Sequence, residues 1–381
     1  MSVVVTACDL VTAYGWGVEA CWQGLLSGRP SFAPVRRFDT HAFQCHAAGT
    51  VADLDPARAE SLVYQMLEPL FRRAGRNLPP DAHLLLASTT GEVDLLERSV
   101  LRAEGDGRES RLATLLDRVR GLTGTQGPGT VVSAACASGS AAVAQAAGLI
   151  RQGQTDAALV VACDAVTEFV FAGFAALMAL DPEGARPFDK DRKGLTIGDA
   201  AGYVLLMSAE RACREHRPVL GVVAGWGLSN DANHMTGPSR DGHGLALAIR
   251  KALESAGLPP SAVGSISAHG TGTSYNDAME IKAFRTVFGA ECAPTYSVKG
   301  GTGHTMGAAG LVEMLVALQS LEARTVPPTV GLRAVDPEAE GWVATGAVAP
   351  RRAECTLSTN SGFGGVNAAL VLRKQGADAQ V

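Results

Sequence analysis

Short, continuously apolar runs recur along this chain, each followed or preceded by a segment with helical spacing, and that alternation leaves few folds open to it. The runs are SVVVTA (2–7), AHLLLAST (82–89), GTVVSAA (129–135), DAALVVACDA (156–165), AGYVLLMSA (201–209), VLGVVAGWG (219–227), VGSISAHG (263–270), PTYSVKG (294–300) and NAALVLR (367–373). A strand wetted on one face alternates apolar with polar residues, whereas a run apolar throughout suits a strand covered on both faces. Helical periodicity marks 18–28, 60–75, 138–153, 244–257, 277–289 and 308–324. Doubly covered strands alternating with helices predict an α/β fold. The 381 residues can bury one large core or two fused ones, and a chain that is 46% hydrophobic and 19% charged is globular.

Two segments share one grammar. GTVVSAACASGSAAVAQAAGLI (129–150) reads as strand, tight turn and helix of small residues. PTYSVKGGTGHTMGAAGLVEMLVAL (294–318) repeats it, with His304 near the place that Cys136 holds in the first copy. The echo predicts two similar halves, divided near 210–218 and taken as 1–215 and 216–381. Small-residue helices after strands are common in α/β chains, so an unduplicated fold also satisfies this pattern.

Several function classes lack support. A net charge of −5 does not suggest a nucleic-acid partner. The 8 cysteines include no C-x-x-C pair, which argues against zinc and dithiol redox sites and for a reduced, cytoplasmic protein. No signal sequence is expected at the start, and no run is expected to reach the roughly 18 apolar residues of a membrane span.

Chemistry concentrates on a few Gly-rich turns. Cys136 sits where a strand hands over to a helix, and a helix N-terminus lowers a thiol's pKa and offers free N–H groups to an oxyanion. Alone, Cys136 reads more readily as a small buried hydrophobe, and its partners must decide. His269 lies in SAHGTGTSYND (267–277), with Thr271 and Thr273 on the same loop and Asp277 placed to cap it. Lys299 precedes His304 by five residues, and Glu313, on the next helix, can pair with that lysine. NSGFGGVNAALVL (360–372) offers either free N–H donors or an ordinary hairpin.

One cysteine and two histidines on turns of this kind resemble the β-ketoacyl-acyl-carrier-protein synthases of the elongating type, the condensing enzymes of fatty-acid and type II polyketide synthesis. The resemblance runs nearly end to end, through VVVTACDLVTAYGWGVEACWQGLLSGRPSFAPVRRFD (3–39), AGFAALMALDPEGARPFDKDRKGLTIGDAAGYVLL (172–206) and SNDANHMTGP (229–238). It implies a thiolase-like fold, two similar halves in an α-β-α-β-α layering. It makes Cys136 the acyl-accepting nucleophile, and His269 and His304 the groups that drive malonyl decarboxylation and hold the enolate. Lys299, with Glu313, would order the His304 region, while Thr236, Thr271, Thr273 and Phe363 would line the phosphopantetheine channel. The backbone N–H groups of Cys136 and Ser361 would form the oxyanion hole. No metal or diffusible cofactor is required.

The same resemblance implies an acyl carrier protein as partner, and a homodimer or a heterodimer with a chain-length-factor-like subunit, with DAALVVACDA as a candidate dimer edge. Carrier proteins are acidic, so Arg72, Arg73 and Arg76, or Arg186 and Lys190 with Arg192 and Lys193, become docking candidates. Two departures stand out. TNSGFGG (359–365) has Ser361 where relatives carry a gating Phe, and 90–128 is shorter than usual, which points to a specialised pathway. A thiolase, an acyltransferase without decarboxylation and a pocket-shaping partner subunit are the competing readings. The first would need a second catalytic cysteine near the C-terminus, and the last would lack Cys136.

Overall fold

The strands are β1 (Val3–Thr12), β2 (His83–Ala87), β3 (Gly129–Val132), β4 (Ala157–Asp164), β5 (Ala200–Ser208), β6 (Gly221–Asn230), β7 (Ser265–Ser267), β8 (Thr295–Tyr296), β9 (Cys355–Gly362) and β10 (Val366–Arg373). The helices are α1 (Val18–Leu26), α2 (Leu62–Ala74), α3 (Val93–Arg102), α4 (Leu112–Thr123), α5 (Ser138–Arg151), α6 (Glu168–Ala176), α7 (Ala209–Arg214), α8 (His243–Ala256), α9 (Ser274–Phe288) and α10 (Ala309–Ala323). The structure, a computed structural model, describes residues 1–75, 77–352 and 354–374.

All principal strands join one mixed sheet with a seam at its centre, where β1 and β6 pair only through Val4–Val222 and Val5–Gly221. Outward from the seam the order is β1, β5, β4, β2, β3 on one side and β6, β10, β9, β7, β8 on the other. Chain order within each set is thus first, fifth, fourth, second, third on both sides. The sequence reading missed β9, which pairs antiparallel with β10 across the turn 363–365. The candidate dimer edge is corrected: β4 is an interior strand, fully buried between β2 and β5. The outermost strands are β3 and β8.

Side-chain alternation along the strands builds the layers. Ala158, Val160 and Ala162 of β4 face a central core with α5 and α10, while Ala157, Leu159, Val161 and Cys163 face an outer core with α2 and α4. On the other side of the seam, Leu370 and Leu372 of β10 join the central core, and Ala369 and Val371 join a third core with α8 and α9. The result is α-β-α-β-α, with α5 and α10 back to back between the sheets. The segment Met306–Ala323 corrects one expectation, because it is long and apolar enough to cross a membrane, but 83% of it is buried inside this protein.

The small residues of α5 explain how two helices fit between two sheets. A Cβ on Gly139 would stand 2.7 Å from the Leu311 nitrogen, and one on Gly310 would stand 2.5 Å from the Ser140 nitrogen. Backbone meets backbone there, so neither helix can yield by rotating a side chain. Gly310→Ala is expected to destabilise the fold by about 1–3 kcal/mol, the usual range for overpacking. A denaturant midpoint equal to that of the unmodified protein would show that the crossing has slack.

Candidate active site

The turn from β3 into α5 is bent sharply. Ala135 adopts φ 49, a left-handed conformation rare outside glycine. Ser138 locks the bend, its Oγ accepting from the Ala134 N–H at 2.8 Å and donating to the Ala135 carbonyl at 2.6 Å. Cys136 is thereby held at the entry to α5, 6% exposed, in a cavity of about 460 Å³. Burial pushes its thiol up to about 11, against the opposing pulls of Lys299 and of the Phe363 N–H; the charges of Asp164 and Glu313 add to the rise. The free thiol is therefore protonated at neutral pH.

His269 and His304 line the same cavity, ring centroids 5.2 Å apart and nearly perpendicular. Lys299 Nζ lies 3.1 Å from His269 Nδ1 and Asn360 Nδ2 lies 3.3 Å from it. An ammonium can only donate, so Nδ1 accepts and the ring proton sits on Nε2. The Met306 N–H donates to His304 Nδ1 at 3.2 Å and fixes the same tautomer there. Burial first, then the Lys299 charge, holds both imidazoles well below their usual 6.5. Two neutral rings therefore each present an N–H as donor.

Behind the rings lies a buried charge pair. Lys299 Nζ donates to Glu313 Oε1 and to the His269 carbonyl, and Asn360 Nδ2 donates to Glu313 Oε2. Burial pushes Glu313 up to about 7, opposed by Lys299. The lysine thus bears on His269, and the expectation that it orders the His304 region is corrected accordingly. Asp277 accepts from the N–H groups of Thr271 (3.0 Å), Gly272 and Phe188 (2.8 Å), and so shapes the turn after His269.

Thr236, Thr271, Thr273 and Phe363 line the cavity, as do Ser361 and Gly362. Ser361, expected to turn a backbone N–H toward the nucleophile, is not the residue whose N–H acts on the Cys136 thiol. The backbone N–H that favours the Cys136 thiolate is that of Phe363, whereas Ser361 donates its Oγ–H to Asn367 Oδ1 at 2.7 Å. Phe363 also packs on Phe174, ring centroids 5.9 Å apart, and both line the cavity.

The docking candidates fare unequally. Arg186 is buried, near Asp181 (3.6 Å) and Glu183 (3.7 Å), so it cannot meet a partner; burial is the correction here. Arg192 is buried too, bonded to Asp336. Arg72 pairs with Glu68 at 2.8 Å and Arg73 with Asp9 at 3.2 Å, and neither lines the cavity. Arg76 lies outside the described residues. Lys190 is exposed, and Lys193 is exposed and lines the cavity.

Sequence reading missed three groups. Glu280 is fully buried and accepts from the N–H groups of His269 (2.8 Å) and Gly270 (2.6 Å); its signal is an acid one turn after Asp277 on the same helix face. Asn360 bridges Glu313 and His269 but precedes a glycine cluster that looks like an ordinary turn. Asp164 ends an apolar strand and carries no motif.

Comparison with known proteins gives a consistent answer. Residues 114–212 match the family model "Beta-ketoacyl synthase, N-terminal domain" and 220–333 match "Beta-ketoacyl synthase, C-terminal domain". A 3-oxoacyl-[acyl-carrier-protein] synthase 2 from Synechocystis sp. is 32% identical over 98% of both chains. Among solved structures, an ishigamide ketosynthase/chain length factor is 32% identical, with a TM-score of 0.86 over 98% of this chain and 99% of that one. A type II PKS acyl-carrier protein in complex with its ketosynthase bound to the hexaketide gives a TM-score of 0.89 at 26% identity, over 98% and 99%. A thiolase-like α-β-α-β-α fold, Cys136 in one cavity with two neutral histidines, and end-to-end likeness to these synthases agree: the chain belongs to the beta-ketoacyl synthase family.

Proposed function

We propose that this protein catalyses decarboxylative Claisen condensation of an acyl group on Cys136 with malonyl-acyl carrier protein. The observation that carries this reading is the pair of neutral imidazoles, both with their N–H on Nε2, in one cavity with Cys136. In the first half-reaction the Cys136 sulfur attacks the carrier thioester. The carrier thiol leaves with the proton that Cys136 gives up, and the N–H groups of Cys136 and Phe363 receive the oxyanion. In the second, malonyl thioester loses CO₂, and the electron pair of the broken C–C bond becomes an enolate. His269 and His304 donate to its oxygen without having to lose or gain a proton. The enolate carbon attacks the acyl carbonyl, the C–S bond to Cys136 breaks, and the thiolate takes a proton from solvent. Lys299, Glu313, Asn360, Glu280 and Asp277 hold His269 and its loop in place.

Thr236, Thr271 and Thr273 are assigned to the phosphopantetheine arm, with Phe363 at its inner end. The two halves 1–215 and 216–381 supply the nucleophile and the two histidines respectively, a division supported by the repeated strand order on either side of the seam. For carrier docking Lys193, which lines the cavity, is better placed than Arg72 and Arg73, with Lys190 exposed three residues before it. A second synthase-like chain, another copy or a chain-length-factor-like subunit, is proposed to cover β3. That strand has one neighbour, and Val100, Leu101 and Phe169 are exposed on α3 and α6. Likeness to both fatty-acid and polyketide synthases fits a specialised fatty-acid or polyketide pathway.

Incubation with acyl- and malonyl-acyl carrier protein, followed by mass spectrometry and CO₂ release, tests the reading. The expected product is a β-ketoacyl carrier with one CO₂ released per condensation. Acyl transfer without CO₂ would overturn it, and brisk elongation of saturated chains of every length would count against the specialised pathway.

A further inference from the structure

Asp164 is a fully buried carboxylate that the chemistry above leaves unused. It ends β4, beside the end of the parallel strand β2, and none of its hydrogen-bond partners is a cation. Its Oδ1 accepts from Ser88 Oγ (2.7 Å), the Thr90 N–H (3.1 Å) and Thr90 Oγ1 (3.1 Å). Its Oδ2 accepts from the Thr89 N–H (3.0 Å), Thr89 Oγ1 (2.6 Å) and the Gly307 N–H (2.7 Å). A buried charge without a counter-ion is unfavourable unless neutral donors surround it, and here they do.

The Gly307 bond leads to the active site. His304 is pinned at its backbone, its N–H donating to the Thr196 carbonyl at 2.6 Å and its carbonyl accepting from the Gly198 N–H at 3.0 Å. Two residues on, Met306 adopts φ 52. A non-glycine residue held there persists only where its surroundings over-determine it. The pinned His304 on one side and the Gly307–Asp164 bond on the other supply that constraint. In this conformation the Met306 N–H reaches His304 Nδ1. Gly307 must also lie close, since a Cβ there would stand 2.7 Å from Asp164 Oδ2 and 2.9 Å from the Thr89 nitrogen.

We infer that Asp164 is a positioning residue for His304: by holding Gly307 it keeps Met306 left-handed, and so keeps the His304 ring proton on Nε2, facing the cavity. The inference deepens the proposed condensation and rests on it for its catalytic consequence. Asp164 joins three segments, the end of β4, the 88–90 turn and the 304–307 loop, none of which adjoins another in sequence.

The test is Asp164→Asn, which keeps the shape but replaces one acceptor oxygen by a donor. Malonyl-carrier decarboxylation is expected to fall at least tenfold, while acylation of Cys136 stays within about threefold, because the fall reaches only the step that needs His304. In protein labelled with ¹⁵N-histidine, the His304 signals (assigned by their loss in His304→Asn) should change from pure Nε2–H to a mixture of tautomers. Equal loss of both half-reactions, or an unchanged His304 tautomer, would overturn the inference. If the unmodified protein released no CO₂, the proposed function would fail, yet the tautomer measurement would still decide the role of Asp164. Should Asp164→Asn not fold, Thr89→Val removes a donor from the same oxygen. It is expected to shift the tautomer and decarboxylation the same way but less, with Thr89→Ser restoring both; no shift in Thr89→Val would overturn the inference.

Discussion

Cys136→Ala is expected to abolish acyl-enzyme formation, lowering transfer from acyl carrier protein by on the order of 10⁴-fold or more, the scale seen when a covalent nucleophile is removed. The effect is large because nothing replaces the sulfur. The protein has other cysteines, but Cys21, Cys163 and Cys355 are buried away from the cavity lining, and burial raises their thiols even further from reactivity. The intact protein should also show a signature in pH. Its thiol is pushed up to about 11, so the thiolate fraction rises about tenfold per pH unit between 7 and 9. Acylation by a small thioester, which lacks the carrier's contacts, should climb with it. A flat profile over that range would mean that the cysteine is already ionised, and mass-mapped acylation anywhere other than Cys136 would sink the mechanism.

How much of this site was legible beforehand depends on which residues carry local signals. Cys136 and His304 sit at the same point of a strand–turn–helix grammar, and His269 stands on a Gly/Thr turn, so a pattern in the chain marks each. The chamber's supports carry no such mark. Glu280 is one acid among many on a helix, and its role exists only because α9 brings it under the His269 and Gly270 amides. Asn360 matters because β9 runs beside β7 and faces α10, a contact between residues that are far apart in sequence.

The misplaced roles have physical causes as well. A lysine five residues from a histidine suggests a local pair, yet Lys299 begins a single helical turn, Lys299–Thr302, that aims its side chain at the other histidine. Ser361 lies on β9 with its side chain committed to Asn367, and only beyond Gly362 does the chain curl so that an N–H, that of Phe363, is free to face sulfur. Arg186 looks like a surface charge in RPFDKDRK, but that segment folds under the 331–336 loop, where Asp189 accepts from the Arg333 and Ala334 N–H groups. Strand and helix periods report which face is buried. They say nothing of which irregular segment is covered by another.

His304→Ala is expected to separate the two half-reactions. Acylation needs the sulfur and two backbone N–H groups, none supplied by His304, so it should remain within a few fold of the intact protein. Decarboxylation loses one of two enolate donors, and losing one such donor typically costs a factor of about 10²–10³. His269 survives the substitution because its tautomer is set by Lys299 and Asn360, not by His304. The variant should therefore accumulate as acyl-enzyme in the presence of acyl- and malonyl-carrier protein, visible as a stable mass increase on Cys136. In ¹⁵N-histidine spectra of the intact protein both imidazoles should stay neutral from pH 8 down through 6.5, since both are held well below that value, whereas the decarboxylation rate can change over the same range through Glu313, which burial pushes up to about 7. The rings should gain a proton only at lower pH, where protonation places a hydrogen on each Nδ1 and sets it against the Lys299 ammonium or the Met306 N–H. A ring that is half-protonated at pH 6.5 would show an ordinary, solvated histidine. CO₂ release by His304→Ala at the unmodified rate would place the enolate elsewhere in the cavity.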